Sequence, residues 1–219
     1  DAFYQIGVRE NKRVVLALPN SSDFIYCFFG LVKLNAIVTP LSPDITPFEL
    51  HGIFHNLTPH VIISSQQFVN KVAFEYPALI ADDVVCIFED PVVATSRRGK
   101  FYELQALYSH GKKFDAATAD KSQMQPATIN YTYRGVGYPL GAVLTHENYQ
   151  AGILSYMETT GMSAHHKVLA FLPFHHIYPL VGCILAPLIS GATVVISKNY
   201  TPKSILKLIH DLEVKLTSR

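Results

Sequence analysis

The sequence predicts an α/β protein with mostly parallel sheets and flanking helices, organised as two βα lobes. Short, continuous apolar runs at Val14–Leu18, Ile37–Leu41, Val61–Ser65 and Val84–Phe88 suit strands buried on both faces. Helical stretches stand between these runs, at a spacing that implies right-handed βαβ units. The same alternation resumes after a polar interval. The chain therefore divides into a first βα lobe at 1–88, a polar connector at 89–126 and a second βα lobe at 127–219.

Each element has its own local reason. Val14–Leu18 is closed by Pro19-Asn20, and Ser21-Ser22-Asp23 offers N-caps for the next helix. Phe24 to Leu34 is apolar almost all round, which predicts an interior helix. Thr46-Pro47-Phe48-Glu49 reads as a capping box with proline at the first helical position. Leu50, Ile53, Phe54 and Leu57 then form the apolar stripe of a surface helix. In the connector, Arg97, Arg98, Lys100, Lys112, Lys113 and Lys121 surround one apolar stretch, Phe101–Leu107. Asp and Glu are interspersed among them, so the interval reads as a solvated link and not as a basic binding patch. Beyond it, Ala127–Thr132 and Ala142–Leu144 are strands on either side of a glycine loop. Thr145 caps a helix carrying Tyr149, Ile153 and Tyr156. Val168–Leu172 and Thr193–Ile196 are strands, with a buried helix from Ile177 to Ile189, bent at Pro187, between them. Thr201-Pro202 opens a last helix with the stripe Ile205, Leu208, Ile209 and Leu212.

With 49% hydrophobic residues in 219, the chain can bury a sizeable core. A net charge of +1 with 16% charged residues argues against both a dedicated nucleic-acid binder and a disordered segment. Cys27, Cys86 and Cys183 lie in apolar runs without a CxxC pair, as reduced thiols of a cytoplasmic protein do. The opening DAFYQIGVRE has no signal-peptide pattern and no initiator Met, which suggests a piece of something longer. Val168 to Ser197 carries no Asp, Glu, Lys or Arg, but His175, His176, Pro179, Pro187 and Ser190-Gly191 divide it. A strand, a loop, a buried helix and a second strand account for it better than a transmembrane span.

Chemistry concentrates in Asn130–His146, NYTYRGVGYPLGAVLTH, where Gly135, Gly137 and Gly141 lie between two β-prone runs. A glycine loop there can turn its backbone N–H groups toward an anion, or be a plain turn, and the residues alone leave both readings open. His175-His176 gives no metal site, because sequence neighbours point apart unless the backbone turns sharply and no Cys or carboxylate is spaced to help. His165-His166 reads as a solvated turn.

The order of these pieces resembles the N-terminal part of the adenylate-forming enzymes, the superfamily of acyl- and aryl-CoA ligases, luciferases and peptide-synthetase adenylation domains. The fatty acyl-CoA and 4-coumarate-CoA ligase branch looks closest. Arg13–Pro43 is similar to the family's opening βαβ block, and Leu144, Thr145, His146 and Asn148 match its Leu-Thr-His-x-Asn. Leu172–Leu180, LPFHHIYPL, looks like its Leu-Pro-x-x-His-x-x-Gly, with Pro179 in place of the glycine, and Gly191–Val195 matches the following strand.

The family's phosphate loop, Thr-Ser-Gly-Thr-Thr-Gly-x-Pro-Lys-Gly, corresponds to Thr132, Tyr133, Arg134, Gly135, Val136, Gly137, Tyr138, Pro139, Leu140 and Gly141. Gly137, Pro139 and Gly141 are retained, whereas much of the hydroxyl cluster and the lysine are lost. A guanidinium at Arg134 can grip phosphate bidentately and so compensate, or it can lie in solvent. By the same resemblance His176 lines the entrance to the acyl pocket together with Ile177, and His175 takes an aromatic position.

The resemblance implies an ATP-dependent, AMP-forming acid–thiol ligase: carboxylate plus ATP gives acyl-adenylate, then a thioester with CoA or a carrier protein. Mg²⁺ accompanies the ATP, and the apolar Val168–Ile196 region favours a fatty acid. The family's catalytic lysine and metal-binding glutamate fall beyond Arg219, so no catalytic residue is assigned and the fragment alone is expected to be inactive. The altered loop keeps open a non-catalytic relative that binds an acyl chain or nucleotide without adenylation. A structural domain using the fold as a scaffold is the third reading.

Overall fold

A computed structural model of the chain describes residues 2–75, 77, 84–91, 100–109, 124–132, 139–197 and 201–211. Among these, helix α1 is Ala2–Gln5, strand β1 Arg13–Ala17, α2 Ser22–Val32, β2 Ile37–Pro40, α3 Pro47–Asn56, β3 Val61–Ser64 and α4 Gln66–Glu75. Strands β4, Val85–Phe88, and β5, Lys100–Glu103, precede α5, Leu104–Ser109. Strands β6, Pro126–Thr132, and β7, Leu140–Thr145, lead into α6, His146–Thr160. After β8, Lys167–Ala170, come α7, Ile177–Pro179, a π-helical segment, Leu180–Leu185, and α8, Ala186–Ile189. Strand β9, Thr193–Ile196, and α9, Pro202–Asp211, close the series.

The described strands form a seven-stranded sheet in the order β5-β4-β3-β1-β2-β6-β7, parallel except for the β6–β7 pair, and a parallel β8–β9 pair. Strand β1 is central, and the side chains from Val14 to Leu18, along the strand and just past its end, alternate between two cores. Val14, Leu16 and Leu18 pack with Phe24, Phe28 and Leu31 of α2, while Val15 and Ala17 pack with Leu50, Ile53 and Phe54 of α3 and Phe68 of α4. The connection leaving β1 thus runs over one face and the connection leaving β2 over the other. Between two adjacent strands with opposed exits, the carboxyl edge of a parallel sheet leaves a crevice.

The predicted caps form. Ser21 accepts from the Phe24 amide at 3.1 Å, and Thr46 and Glu49 complete a capping box at 3.3 and 3.1 Å. Thr145 and Asn148 make a second box at the start of α6. Its Tyr149 and Ile153 are buried, as their spacing predicts.

Several elements depart from the sequence expectation. Helix α2 is not wholly interior: Tyr26 and Phe29 are exposed, and Tyr26 meets Tyr108 edge-to-face at 6.3 Å. The stretch Phe101–Leu107 forms edge strand β5 and helix α5, with Leu104 and Leu107 buried. The helix expected to bend at Pro187 instead widens before it, and the Ala186 amide donates to Val181 five residues back. Proline lacks the amide a regular turn needs and crowds the carbonyl four residues earlier, and a wider turn upstream accommodates both. Leu212 of the predicted last stripe lies outside the described residues, and Ile205, Leu208 and Ile209 are half-buried. No helix among the described residues is long and apolar enough to cross a membrane.

Candidate functional site

Two adjoining clefts open at the carboxyl ends of the parallel strands. One, of about 440 Å³, lies between the chain leaving β1, with Leu18 and Asn20, and the chain leaving β2, with Ser42 and Asp44. The other, of about 270 Å³, runs from the end of β2 to the β6–β7 hairpin, where Tyr131, Thr132 and Pro139 line it. Ser42, Asp44 and His175 border both. The sheet order alone puts these segments side by side.

Three of the residues singled out by sequence, Thr132, Pro139 and His176, meet in the second cleft. Thr132 and Leu140 pair across the hairpin and form the feet of the glycine loop. Tyr133, Arg134, Gly135, Val136 and Gly137 lie outside the described residues. Gly141 sits one rung down opposite Tyr131, and its role there is steric. A Cβ at this position would come within 2.8 Å of Ile129 Cγ2 and 3.1 Å of Tyr131 Cζ. Below the hairpin, Thr128 Oγ1 and the Tyr149 hydroxyl are 2.9 Å apart, and Asn130 Nδ2 donates to Thr128 Oγ1 at 2.5 Å. These bonds tie β6 to α6 and hold the loop's base in register.

The histidine pair comes from the turn after β8. His175 and His176 do not splay apart as adjacent residues in extended chain would: their ring centroids are 4.3 Å apart, because the backbone turns at Pro173–His176. His176 is exposed, while His175 is half-buried. Burial, reinforced by His176 and opposed by Asp44, lowers the His175 pKa from 6.5 to about 4, so its imidazole is neutral near pH 7. Ile177 starts α7 and is 40% exposed, outside the lining of both clefts. Among the described residues, no group of three or more His, Cys, Asp or Glu side chains is placed to hold a metal ion. The described lining of the two clefts contains Asp44 and Glu49 but no Lys or Arg.

Over residues 1–218 the sequence matches the AMP-binding enzyme family. The chain belongs to that family. The order of motifs from Arg13 to Val195 had already suggested it. Among its curated relatives is 4-coumarate–CoA ligase 3 of Arabidopsis thaliana, 25% identical over 226 residues, covering 99% of the chain and 38% of the relative. Among solved structures, an anthranilate CoA ligase, AuaEII, in complex with anthranoyl-AMP superposes with a TM-score of 0.81 at 21% identity, over 97% of this chain and 40% of that one. ATP-bound MatB from Rhodopseudomonas palustris superposes at 0.77 and 17% identity, over 95% and 39%. The fold of the chain is therefore that of the N-terminal domain of adenylate-forming enzymes, and the chain spans about two fifths of the curated relatives it matches.

Sequence reasoning missed Asn20, Ser42 and Asp44 as site residues. The only signal was their place directly after the predicted strands Val14–Leu18 and Ile37–Leu41, where loops at the carboxyl edge carry binding groups.

Proposed function

We propose that the full-length protein is an ATP-dependent acyl-activating ligase and that this chain carries its phosphate loop and part of its acid-binding wall. A carboxylate oxygen attacks the α-phosphorus of ATP, the bond to pyrophosphate breaks, and a thiol of CoA or a carrier protein then displaces AMP. The observation carrying this reading is the cleft at the ends of β2 and β6, which Thr132 and Pro139, at the two ends of the loop, line together with His175 and His176. Loop residues Tyr133 to Gly137 would wrap the phosphates with backbone N–H groups, and Arg134 would supply the charge of the missing lysine. No Lys or Arg stands among the described lining residues. His176 and Ile177 would flank the acyl chain, and the apolar segment from Val168 to Ile196 favours a fatty acid.

Magnesium would neutralise the phosphate oxygens. No described cluster is built to hold it by itself, so it would arrive with the nucleotide. The division at 1–88, 89–126 and 127–219 belongs to this reading, as does a cytoplasmic location, which the three thiols Cys27, Cys86 and Cys183, none of them in a disulfide, support.

ATP–pyrophosphate exchange by the full-length protein over a panel of carboxylic acids tests the activity, and acid-dependent exchange is expected. Arg134→Ala should cost about 3 kcal/mol in use of ATP, the scale of one lost charged contact in a closed site. A second reading, a non-catalytic relative, draws on Leu140, which is 48% exposed at the loop's foot and can hold no phosphate. It predicts no exchange with any acid and no heat on titration with ATP·Mg.

A further inference from the structure

We propose that Asn20 is the positioning residue of the site: its carboxamide, anchored at the end of β1, holds the turn after β8 so that His175 and His176 stand over the clefts. Asn20 Nδ2 donates to the Leu172 carbonyl at 2.8 Å and, at the limit of bonding distance, to the Phe171 carbonyl at 3.5 Å. Its Oδ1 accepts from the Phe174 amide at 2.9 Å. One side chain thus satisfies three backbone groups in a four-residue turn more than 150 positions away in sequence.

The chemistry selects asparagine. Only a side chain with a donor and an acceptor on one planar head can serve carbonyls and an N–H together. Aspartate would turn its oxygens on two carbonyls, and leucine would leave all three groups unpaired. Asn20 is only 7% exposed, so water does not substitute easily, and an unmet buried backbone group carries a real cost. A neighbouring contact acts in the same direction: Phe174, whose amide Asn20 holds, packs its ring edge-to-face on Phe24. Beyond Phe174 the next residue is His175, which borders both clefts. The inference deepens the ligase reading for the histidine side of the site, but its first test needs no ligand.

In the protein labelled with ¹³C at histidine Cε1, His175 and His176 are assigned with His175→Phe and His176→Phe. Asn20→Ala and Asn20→Asp should shift both ring signals and raise the His175 titration midpoint from about 4 toward 6.5 as its ring gains solvent. Asp44 and His176 are the ionisable neighbours acting on it. Asn20→Gln, which retains the amide, should restore part of the wild-type pattern. Unchanged ring signals and midpoint in a variant whose circular dichroism is native would overturn the proposal. If both variants unfold, the wild-type side-chain amide of Asn20 decides. Exchange at least about tenfold slower than that of exposed Asn56 supports the clamp, and equal rates overturn it. Titration with ATP·Mg forms a separate arm: no nucleotide binding by wild type would remove the ligase reading while leaving the ring result standing.

Discussion

Phe24 and Phe174, 150 positions apart in sequence, pack edge-to-face with ring centroids 5.7 Å apart and planes at 68°. Both are essentially inaccessible to solvent. This contact joins the first turn of α2 to the turn that presents the histidines. Truncation by Phe174→Ala should cost about 3–5 kcal/mol, through lost burial and the cavity left behind. Denaturant unfolding measures it, and a cost below about 1 kcal/mol would mean the turn is held by other contacts.

Two glycines make a matched pair of opposite sign. Gly141→Ala forces a methyl group against Ile129 and Tyr131 and should destabilise by about 2 kcal/mol. At Gly152, within α6, an added Cβ meets nothing within 4 Å, so Gly152→Ala should stabilise by about 0.5–1 kcal/mol. Melting temperatures of the two variants should move in opposite directions.

The Tyr149 hydroxyl is bonded to Thr128 and Asn130 in a largely buried setting. Tyr149→Phe keeps the edge-to-face contact with Phe28 and loses these bonds, at about 1 kcal/mol and a melting point about 2–4 °C lower. An unchanged melting point would show that the hydroxyl adds nothing beyond its ring.

The lowered pKa of His175 gives a defined acid sensitivity. Its imidazole titrates at about 4 in the fold against 6.5 when unperturbed, so the unfolded chain binds more protons between those values. The associated stability is complete above about pH 6.5 and is lost progressively as pH falls toward 4, by roughly 2 kcal/mol allowing for partial exposure. His60 and His146, also lowered by burial, act in the same direction. His175→Phe should therefore flatten the stability profile between pH 6.5 and 4 without abolishing its slope. Coincident wild-type and variant profiles would refute the assignment.

Apolar runs and caps made most of the architecture legible in the residues themselves. Val14–Leu18 and Val61–Ser65 read as doubly buried strands, and both lie in the centre of the sheet. Thr46 and Glu49 announced a capping box that forms. Helix α4 went unread because Gln66–Glu75 shows its buried face through only Phe68, Val69 and Val72. The π-helical widening before Pro187 was illegible, since many local adjustments can absorb one missing amide.

For the site, local residue patterns mark which short segments carry polar and turn-forming residues: the exits of β1 and β2, the hairpin around the glycine loop, and the histidine turn. Their meeting comes from long-range packing. The strand order sets β1, β2 and β6 side by side, and Asn20 then reaches across to Leu172 and Phe174. Local patterning reports what a segment buries, because that depends on its own side chains. Which loops share a crevice depends on crossovers that pack opposite faces of one sheet, and these rest on contacts between residues far apart in the chain.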